Sequence, residues 1–178
     1  FIQATGKRWK MKRNLCIFLT DPMRTYLEKG EIKPRYYNPC NIFDEIYMIS
    51  FCKKDIAEHE IQSCAGTAKL KIEAVGNLSA WSTGAIKDRL MHLVGSVKPD
   101  VIRAYDPSVK GYLATHCGRQ LKIPAVLSIH NENDEQRRHD KRPILYLRKI
   151  FERYSLSNAT KVICVTNYLS PYARRYGA

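Results

Sequence analysis

A histidine stands at the end of an apolar run, where an α/β protein does its chemistry. The five residues 125–129 (AVLSI) follow Pro124 and lead directly into His130. A short apolar run after a proline predicts a buried parallel strand, and ligands of open α/β sheets bind just outside the carboxyl ends of such strands. His130 is therefore a candidate catalytic residue, because its imidazole can hold or move a proton near neutral pH. A core histidine bonded to a backbone carbonyl, or a solvated loop histidine, is the alternative.

Other polar and aromatic residues follow two further predicted strands. Tyr105 and Asp106 end the run that begins at Asp100, and Thr166 ends the run that begins at Lys161. A tyrosine ring can stack on a sugar, while a carboxylate or a hydroxyl can bind sugar hydroxyls. The competing interpretations are packing for Tyr105 and helix capping for Asp106 and Thr166.

A polar and aromatic loop, residues 30–41, follows the first predicted helix. It contains Gly30, Glu31, Tyr37 and Asn38. Aromatic rings bind the apolar faces of sugars, and an asparagine amide can bridge hydroxyls. The loop is thus a second candidate part of a binding site. The alternative is a loop that only covers the core.

The elements that must position these residues alternate between strand and helix. This alternation predicts a doubly wound, mainly parallel, Rossmann-like α/β sheet with helices on both faces, and the strand ends near Thr20, Tyr105, His130 and Thr166 should meet at one edge. Residues 53–64 are ambiguous, and residues 131–142 are predicted as a polar loop. We divide the chain into a basic N-terminal extension or tag remnant, 1–13, and one domain, 14–178. Strands are predicted at 15–20, 43–50, 68–75, 100–105, 125–130 and 161–165, and helices at 23–29, 83–97, 109–121, 144–154 and up to 175.

Composition narrows the class of protein. The 178 residues include 44% hydrophobic and 26% charged residues, an ordinary globular balance. The apolar runs are far shorter than the roughly 20 residues that cross a bilayer. None of the six cysteines forms a Cys-x-x-Cys pair or has a histidine at zinc-ligand spacing, so we expect no metal site, reduced thiols and a cytoplasmic protein.

The net charge of +13 favours an anionic partner. Seven Arg and Lys residues lie between 137 and 153, against only Asp140 and Glu152. A solvated face is the plain interpretation, and peripheral, shallow binding to an anionic membrane is the functional one. In that case the contacts would be Arg148, Lys149 and Arg153, with the apolar side of the helix packed in the core. Nucleic acid is the rival partner, although no helix-turn-helix, zinc-finger or RNA-binding signature is present.

The second half of the chain carries a recognisable pattern. Residues 100–106 (DVIRAYD), 123–130 (IPAVLSIH) and 159–169 (ATKVICVTNYL) occur in this order. Together they resemble the N-terminal, acceptor-side domain of a family-4 retaining glycosyltransferase with the GT-B fold. The closing segment 172–177 (YARRYG) is similar to the family's helix before the interdomain crossover. Two features depart from the family: no glycine pair follows the first strand, and Thr166 stands where serine is commoner.

The resemblance implies a function for one half of an enzyme. The domain would bind a sugar or lipid-linked acceptor, with His130 near the reacting groups. A C-terminal domain, absent from this chain, would bind a nucleotide-sugar donor, which is a co-substrate, and no metal cofactor is expected. The isolated domain would then be inactive as a transferase. The alternative is a basic Rossmann-like module that binds nucleic acid or phosphate without enzymatic activity.

Overall fold

One parallel sheet organises the described chain. The computed structural model describes residues 12–79, 83–139 and 142–178, and within them six strands lie in the order β3-β2-β1-β4-β5-β6. All five strand pairs are parallel. Because β1 pairs with β2 on one side and with β4 on the other, the strand order reverses there. The strands are β1 (Asn14–Phe18), β2 (Glu45–Ser50), β3 (Lys69–Ala74), β4 (Val101–Ala104), β5 (Ala125–Ile129) and β6 (Lys161–Cys164).

Helices cover the sheet from both faces. The helices are α1 (Met23–Glu28), α2 (Glu58–Ile61), α3 (Thr83–Val97), α4 (Val109–Leu121), α5 (Asn133–His139), α6 (Pro143–Asn158) and α7 (Ser170–Arg175). The described residues also form 3-10 turns at Gln62–Ala65 and Asn167–Leu169. One face of the sheet packs against α1, α2 and the loops around them, and the other face packs against α3, α4, α6 and α7.

The two cores follow from the two-residue period of the strands. In β1, Leu15 and Ile17 point into the core under α1 and α2, whereas Cys16 and Phe18 point into the core under α3 and α4. All four side chains are buried. Successive strand residues face opposite sides of a sheet, so a strand that is apolar at every position must be covered on both faces. Full burial of each large apolar side chain contributes about 1.5–3 kcal/mol.

The doubly wound parallel sheet predicted from the sequence is confirmed. Helix α3 has the predicted limits. Polar and apolar residues alternate in 68–75, a pattern typical of a half-buried or edge strand, and β3 is an edge strand. The ambiguous segment 53–64 contains α2 and the start of a 3-10 turn. Strand β2 ends at its predicted limit, and the other five strands end one or two residues before theirs.

The prediction of a plain loop at 131–142 is wrong, because α5 lies within it. Asp134 and Glu135 occupy the first turn of α5, and Arg137, Arg138 and His139 occupy its last turn. Carboxylates near the N-terminus of a helix and cations near its C-terminus interact favourably with the helix dipole. The charge order of this segment therefore supports a helix although its composition is polar.

Helix α4 lies unusually close to the strands beside it. A Cβ added at Gly118 would lie 2.8 Å from the Ile123 carbonyl oxygen and 2.9 Å from the Ala125 Cβ. A Cβ added at Gly111 would overlap the Asp106 carbonyl oxygen and lie 3.1 Å from Leu127 Cδ1. Gly118 thus lets α4 pack against the start of β5, and Gly111 lets its first turn pack against Asp106, which leads into the site described next.

Candidate functional site

A cavity of about 590 Å³ opens at the carboxyl ends of β1, β4 and β5. Leu19 and Thr20 line it after β1, and Asp106 lines it after β4. His130 and Asn131 line it after β5. The strand order reverses between β1 and β4, and such a switch point is where open α/β sheets bind ligands. The cavity is thus formed by the sheet edge at which the sequence placed the candidate residues.

Four tyrosines form one wall of the cavity: Tyr26, Tyr36, Tyr37 and Tyr105. The rings of Tyr36 and Tyr37 meet edge-on with centroids 4.8 Å apart, and Tyr37 lies 6.3 Å from Tyr105. Tyr37 is buried, whereas Tyr36 is 49% exposed. Burial raises the pKa of Tyr37 and of Tyr105, so both stay protonated near neutral pH. The wall offers flat apolar surface with a few hydroxyl groups.

A buried carboxylate holds α1, the helix that carries Tyr26. Asp55 accepts hydrogen bonds from the backbone N–H groups of Met23 and Arg24, both at 2.9 Å, and from the Ser50 hydroxyl at 2.5 Å. Burial acts to raise the pKa of Asp55, but these hydrogen bonds outweigh it and lower the pKa. The carboxylate stays ionised and satisfies the first N–H groups of α1, which has no capping side chain of its own.

His130 lies against Tyr105 at the opening of the cavity. The two ring centroids are 5.9 Å apart, and the Arg103 guanidinium lies 4.7 Å from the Tyr105 centroid on the same face of the sheet. Partial burial of the ring and repulsion from Arg103 lower the pKa of His130. The imidazole is therefore neutral near pH 7, although His130 as a whole is exposed. A neutral imidazole can accept a proton or a hydrogen bond from a hydroxyl group.

The Tyr105 hydroxyl is a polar group with an unused hydrogen-bonding capacity. Its oxygen is buried and has no hydrogen-bond partner among the described residues. A buried polar atom without a partner is uncommon in proteins and calls for an explanation. The Tyr105 side chain lines the cavity and its ring lies beside His130, but its hydroxyl oxygen is closed off from solvent.

Asp106 has two internal partners. Its carboxylate accepts hydrogen bonds from the Ser108 backbone N–H and from the Ser108 hydroxyl, both at 2.7 Å. These bonds fix the turn that leads into α4. Asp106 lines the cavity and also shapes this turn. The expected capping of a helix by Asp106 is wrong, because α4 begins at Val109 and Ser108 is the residue before it, while a role in sugar binding stays a prediction.

A lysine side chain holds the loop that follows β1. The resemblance to family-4 glycosyltransferases predicts a glycine pair in this loop. The Lys110 ammonium, on the first turn of α4, donates to the Thr20 carbonyl oxygen and lies 5.7 Å from the Phe51 ring centroid. Burial lowers the pKa of Lys110, and the nearby Asp21 and Asp106 partly oppose this change. The β1 loop is thus held by a side chain of α4, a contact that the sequence analysis missed.

The floor of the cavity contains a buried ion pair. Arg137 of α5 donates to both carboxylate oxygens of Glu152 in α6, at 2.7 and 2.8 Å, and also to Asp134 at 2.7 Å. The Tyr172 hydroxyl of α7 donates to Glu152 at 2.9 Å, and the Tyr176 hydroxyl donates to Asp134 at 2.7 Å. Burial acts to lower the pKa of Arg137, but the bonds to Glu152 and Asp134 raise it. The network ties α5, α6 and α7 together beneath the site.

The structure brings five of the predicted ligand-binding and catalytic residues to the cavity and leaves three outside its lining. Those at the cavity are Glu31, Tyr37, Tyr105, Asp106 and His130.

The three predicted residues outside the cavity lining are Gly30, Asn38 and Thr166. Gly30 ends α1 with φ of 67° and has open space around it. Asn38 is fully buried and bonds to the backbone of Phe43 and Ala65, so it fixes the loop instead of facing a ligand. Thr166 is exposed at the same sheet edge.

Sequence reasoning missed part of the lining. Asn133 follows His130 by three residues, so its position could have been found from the strand-end rule. Tyr26 lies within α1, and that rule does not reach it. Arg137 and Glu152 were counted with the basic surface of residues 137–153, and only the packing of α5 on α6 shows that they are buried.

The expected basic face is smaller than the sequence suggested. Arg137 is 4% exposed and belongs to the buried network, so its assignment to that face is wrong. Arg148 and Arg153 are exposed, and Lys149 lies 3.9 Å from Asp134. Ile150, expected in the core, is 68% exposed. Lys141 and the side chains of Ile144 and Leu147 lie outside the described residues.

The described residues contain neither a membrane-spanning helix nor a metal-binding cluster of side chains. No helix in residues 12–79, 83–139 or 142–178 is long and apolar enough to cross a bilayer. The same residues contain no group of three or more His, Cys, Asp or Glu side chains arranged to hold a metal ion.

The sequence itself matches a known family over more than half of its length. Residues 58–178 fit the profile described as Glycosyltransferase Family 4. The chain belongs to glycosyltransferase family 4. The match includes β4, β5 and β6, and therefore Tyr105, Asp106 and His130. No curated protein sequence matches the chain.

Solved structures with a similar fold have little sequence in common with this glycosyltransferase-family domain. One is a Listeria monocytogenes protein described as a UDP-N-acetylglucosamine 2-epimerase, with a TM-score of 0.63 and 6% identity over 94% of this chain. Another is the UDP-N-acetylglucosamine 2-epimerase of Rickettsia bellii, with a TM-score of 0.57 and 18% identity over 93% of this chain. The chain spans 43% and 41% of the length of these two structures. At such identities the likeness shows the fold alone, a Rossmann-like half of the GT-B architecture.

Proposed function

We propose that this domain binds the acceptor of a retaining glycosyl transfer, and that the nucleotide-sugar donor is held by a second domain facing the same sheet edge. The observation that carries the proposal is the tyrosine-walled cavity at the switch point, with a neutral His130 at its opening. Membership of glycosyltransferase family 4 gives the class of reaction. A domain that holds only the acceptor would have little or no transferase activity alone.

The lining of the cavity suits a polyhydroxylated ligand. Tyrosine rings present flat apolar surfaces that pack against the C–H faces of a sugar. Asn131, Asn133 and Glu31 also line the cavity and offer amide and carboxylate groups. Pockets of about 300–1,000 Å³ are typical of small-molecule sites, so this cavity is large enough for one or two sugar rings.

His130 would position the attacking hydroxyl group. In a glycosyl transfer, the acceptor oxygen bonds to the anomeric carbon of the donor, the bond from that carbon to the diphosphate oxygen breaks, and the hydroxyl proton leaves with the diphosphate. A neutral imidazole accepts a hydrogen bond from that hydroxyl and fixes its direction. Protonated His130 could only donate, so its lowered pKa favours the accepting form at neutral pH.

The test is the substitution His130→Ala in a protein that contains both domains. The rate of acceptor glycosylation is measured as the release of nucleotide from the donor. It should fall by about 10²-fold if His130 positions the hydroxyl group. His92→Ala is the matched control, because His92 is an exposed histidine of α3 outside the cavity lining. Its rate should not change.

Two results would contradict the proposal. An unchanged rate for His130→Ala would assign this histidine to structure only. Rapid sugar transfer by the 178-residue chain alone would show that no second domain is needed. The anomeric configuration of the product, read by NMR coupling constants, tests retention separately.

A further inference from the structure

The outer face of α6 carries large apolar side chains that the domain does not cover. Tyr146 is 48% exposed and Ile150 is 68% exposed. Residues four apart lie on one side of a helix, and Arg153 extends the same stripe by one more turn. Scattered single apolar residues need no explanation, but here the apolar pair and the cations share one exposed stripe.

Positive charge flanks this apolar pair on the same side of the helix. The Lys149 ammonium lies 5.6 Å from the Tyr146 ring centroid and Arg153 is exposed, whereas Arg148 is exposed on the side that lines the cavity. Within the described part of the chain, neither arginine has a carboxylate within 4 Å, whereas Lys149 has Asp134 at 3.9 Å. A helix with an apolar stripe flanked by Lys and Arg is the form that lies in the interface of an anionic bilayer.

The stripe lies beside the candidate site. Leu145 and Arg148, on the same first turns of α6, line the cavity, while Tyr146 points outward from that turn. If this part of α6 binds to another surface, the opening of the cavity therefore lies close to that surface.

We propose that the outer face of α6, defined by Tyr146, Lys149, Ile150 and Arg153, is a membrane-binding surface that inserts its two apolar side chains into the interface of an anionic bilayer. The charge of the face complements acidic lipid headgroups, and tyrosine rings prefer the bilayer interface. An aliphatic Ile150 has no favourable contact to offer to a phosphate backbone, which favours lipid over nucleic acid. This differs from the purely electrostatic, shallow binding expected from the sequence, because Ile150 is exposed instead of buried.

Vesicle flotation with the full chain tests this surface. Binding to vesicles of 70% phosphatidylcholine and 30% phosphatidylglycerol should be clear at 0.15 M salt and weak on pure phosphatidylcholine. Tyr146→Ser/Ile150→Ser should weaken partitioning by about tenfold or more. Lys149→Gln/Arg153→Gln should weaken it by about fivefold for each charge removed. Both pairs are exposed, so circular dichroism should show an unchanged fold.

Matched control variants exist elsewhere on the chain. Val165 and Tyr168 are 49% and 64% exposed near the end of β6, so Val165→Ser/Tyr168→Ser removes similar apolar surface from another face. Lys53 and Lys54 are exposed after β2, so Lys53→Gln/Lys54→Gln removes the same charge. The apolar control should bind vesicles as the parent does, and the charge control should lose less than Lys149→Gln/Arg153→Gln loses.

Insertion itself has a direct readout. Ile150→Trp should add fluorescence that shifts to shorter wavelength and is quenched by brominated anionic lipid, whereas Tyr168→Trp should add fluorescence that does neither. Equal vesicle binding by Tyr146→Ser/Ile150→Ser and by the parent would overturn the proposal. So would tight binding of single-stranded or duplex nucleic acid at 0.15 M salt without vesicle binding. None of these outcomes depends on transferase activity, so the proposed function is tested separately.

Discussion

Removal of the Arg137 side chain should destabilise the domain strongly. In Arg137→Met, the buried Glu152 carboxylate loses two charged hydrogen bonds at 2.7 and 2.8 Å, and among the described residues the Tyr172 hydroxyl at 2.9 Å remains its donor. Glu152 is fully buried and Arg137 is 4% exposed, so the carboxylate is left largely desolvated and without its charged partner. Breaking one side of such a pair costs about 3–5 kcal/mol of unfolding free energy.

The same reasoning gives different values for two related variants. Replacing both members, Arg137→Met/Glu152→Met, removes the stranded charge and should cost less than Arg137→Met alone, because similar-sized apolar residues often replace a buried pair without loss. Arg89→Met removes an exposed pair, with side chains 52% and 48% exposed, and should cost about 0–1 kcal/mol.

Urea unfolding followed by circular dichroism measures all three free energies. For a chain of this length, 3–5 kcal/mol also corresponds to a fall in Tm of roughly 6–20 °C. The reasoning fails if Arg137→Met loses no more stability than Arg89→Met. It also fails if the double variant loses as much stability as Arg137→Met or more, because the unpaired Glu152 charge is then not the cause of the loss.

The remaining predictions concern the strand ends. Arg103→Met removes a positive charge near His130, so the pKa of His130, read from its ring protons by NMR, should rise towards its ordinary value. The acid limb of activity in a two-domain protein should move to higher pH with it; an unchanged pKa would exclude Arg103 as a cause. Gly111→Ala would push α4 away from the Asp106 carbonyl oxygen and should cost about 1–3 kcal/mol, measured by urea unfolding, whereas Gly84→Ala, with open space around it, should not.

Periodicity was enough to predict the fold because short strand patterns alternate with helical patterns along the chain. The run ending at Ile129 and the alternation in 68–75 correspond to β5 and β3. Helix α5 was missed because its residues carry little apolar periodicity. Its stability comes from the charge order along the helix and from the contact of Arg137 with Glu152, fifteen residues away, which no local pattern reveals.

The site was most predictable where a residue directly follows a strand. Tyr105, Asp106 and His130 do so, and all three line the cavity. The loop 30–41 was a weaker guide, because Glu31 and Tyr37 line the cavity but Gly30 and Asn38 do not. Asn38 looked like a sugar ligand because its type and its loop suit one. Its amide instead bonds to the backbone of residues 43 and 65. The sequence indicates that a polar residue lies in a loop, but only the fold shows whether its side chain turns inward.

The two walls of the cavity are held in place by separate sets of buried contacts. One wall, with Tyr26 and Tyr37, belongs to the core under α1 and is fixed by the Asp55 carboxylate at the start of that helix. The other wall belongs to α5 and α6 and is fixed by Arg137 and Glu152. Both sets of contacts centre on buried charged groups with several hydrogen bonds. These hydrogen bonds are strong only in one geometry. The rigid sheet edge lies between them and carries His130. Because contacts within the chain hold both walls, the binding of an acceptor would require less ordering of protein side chains than binding at a loosely held site.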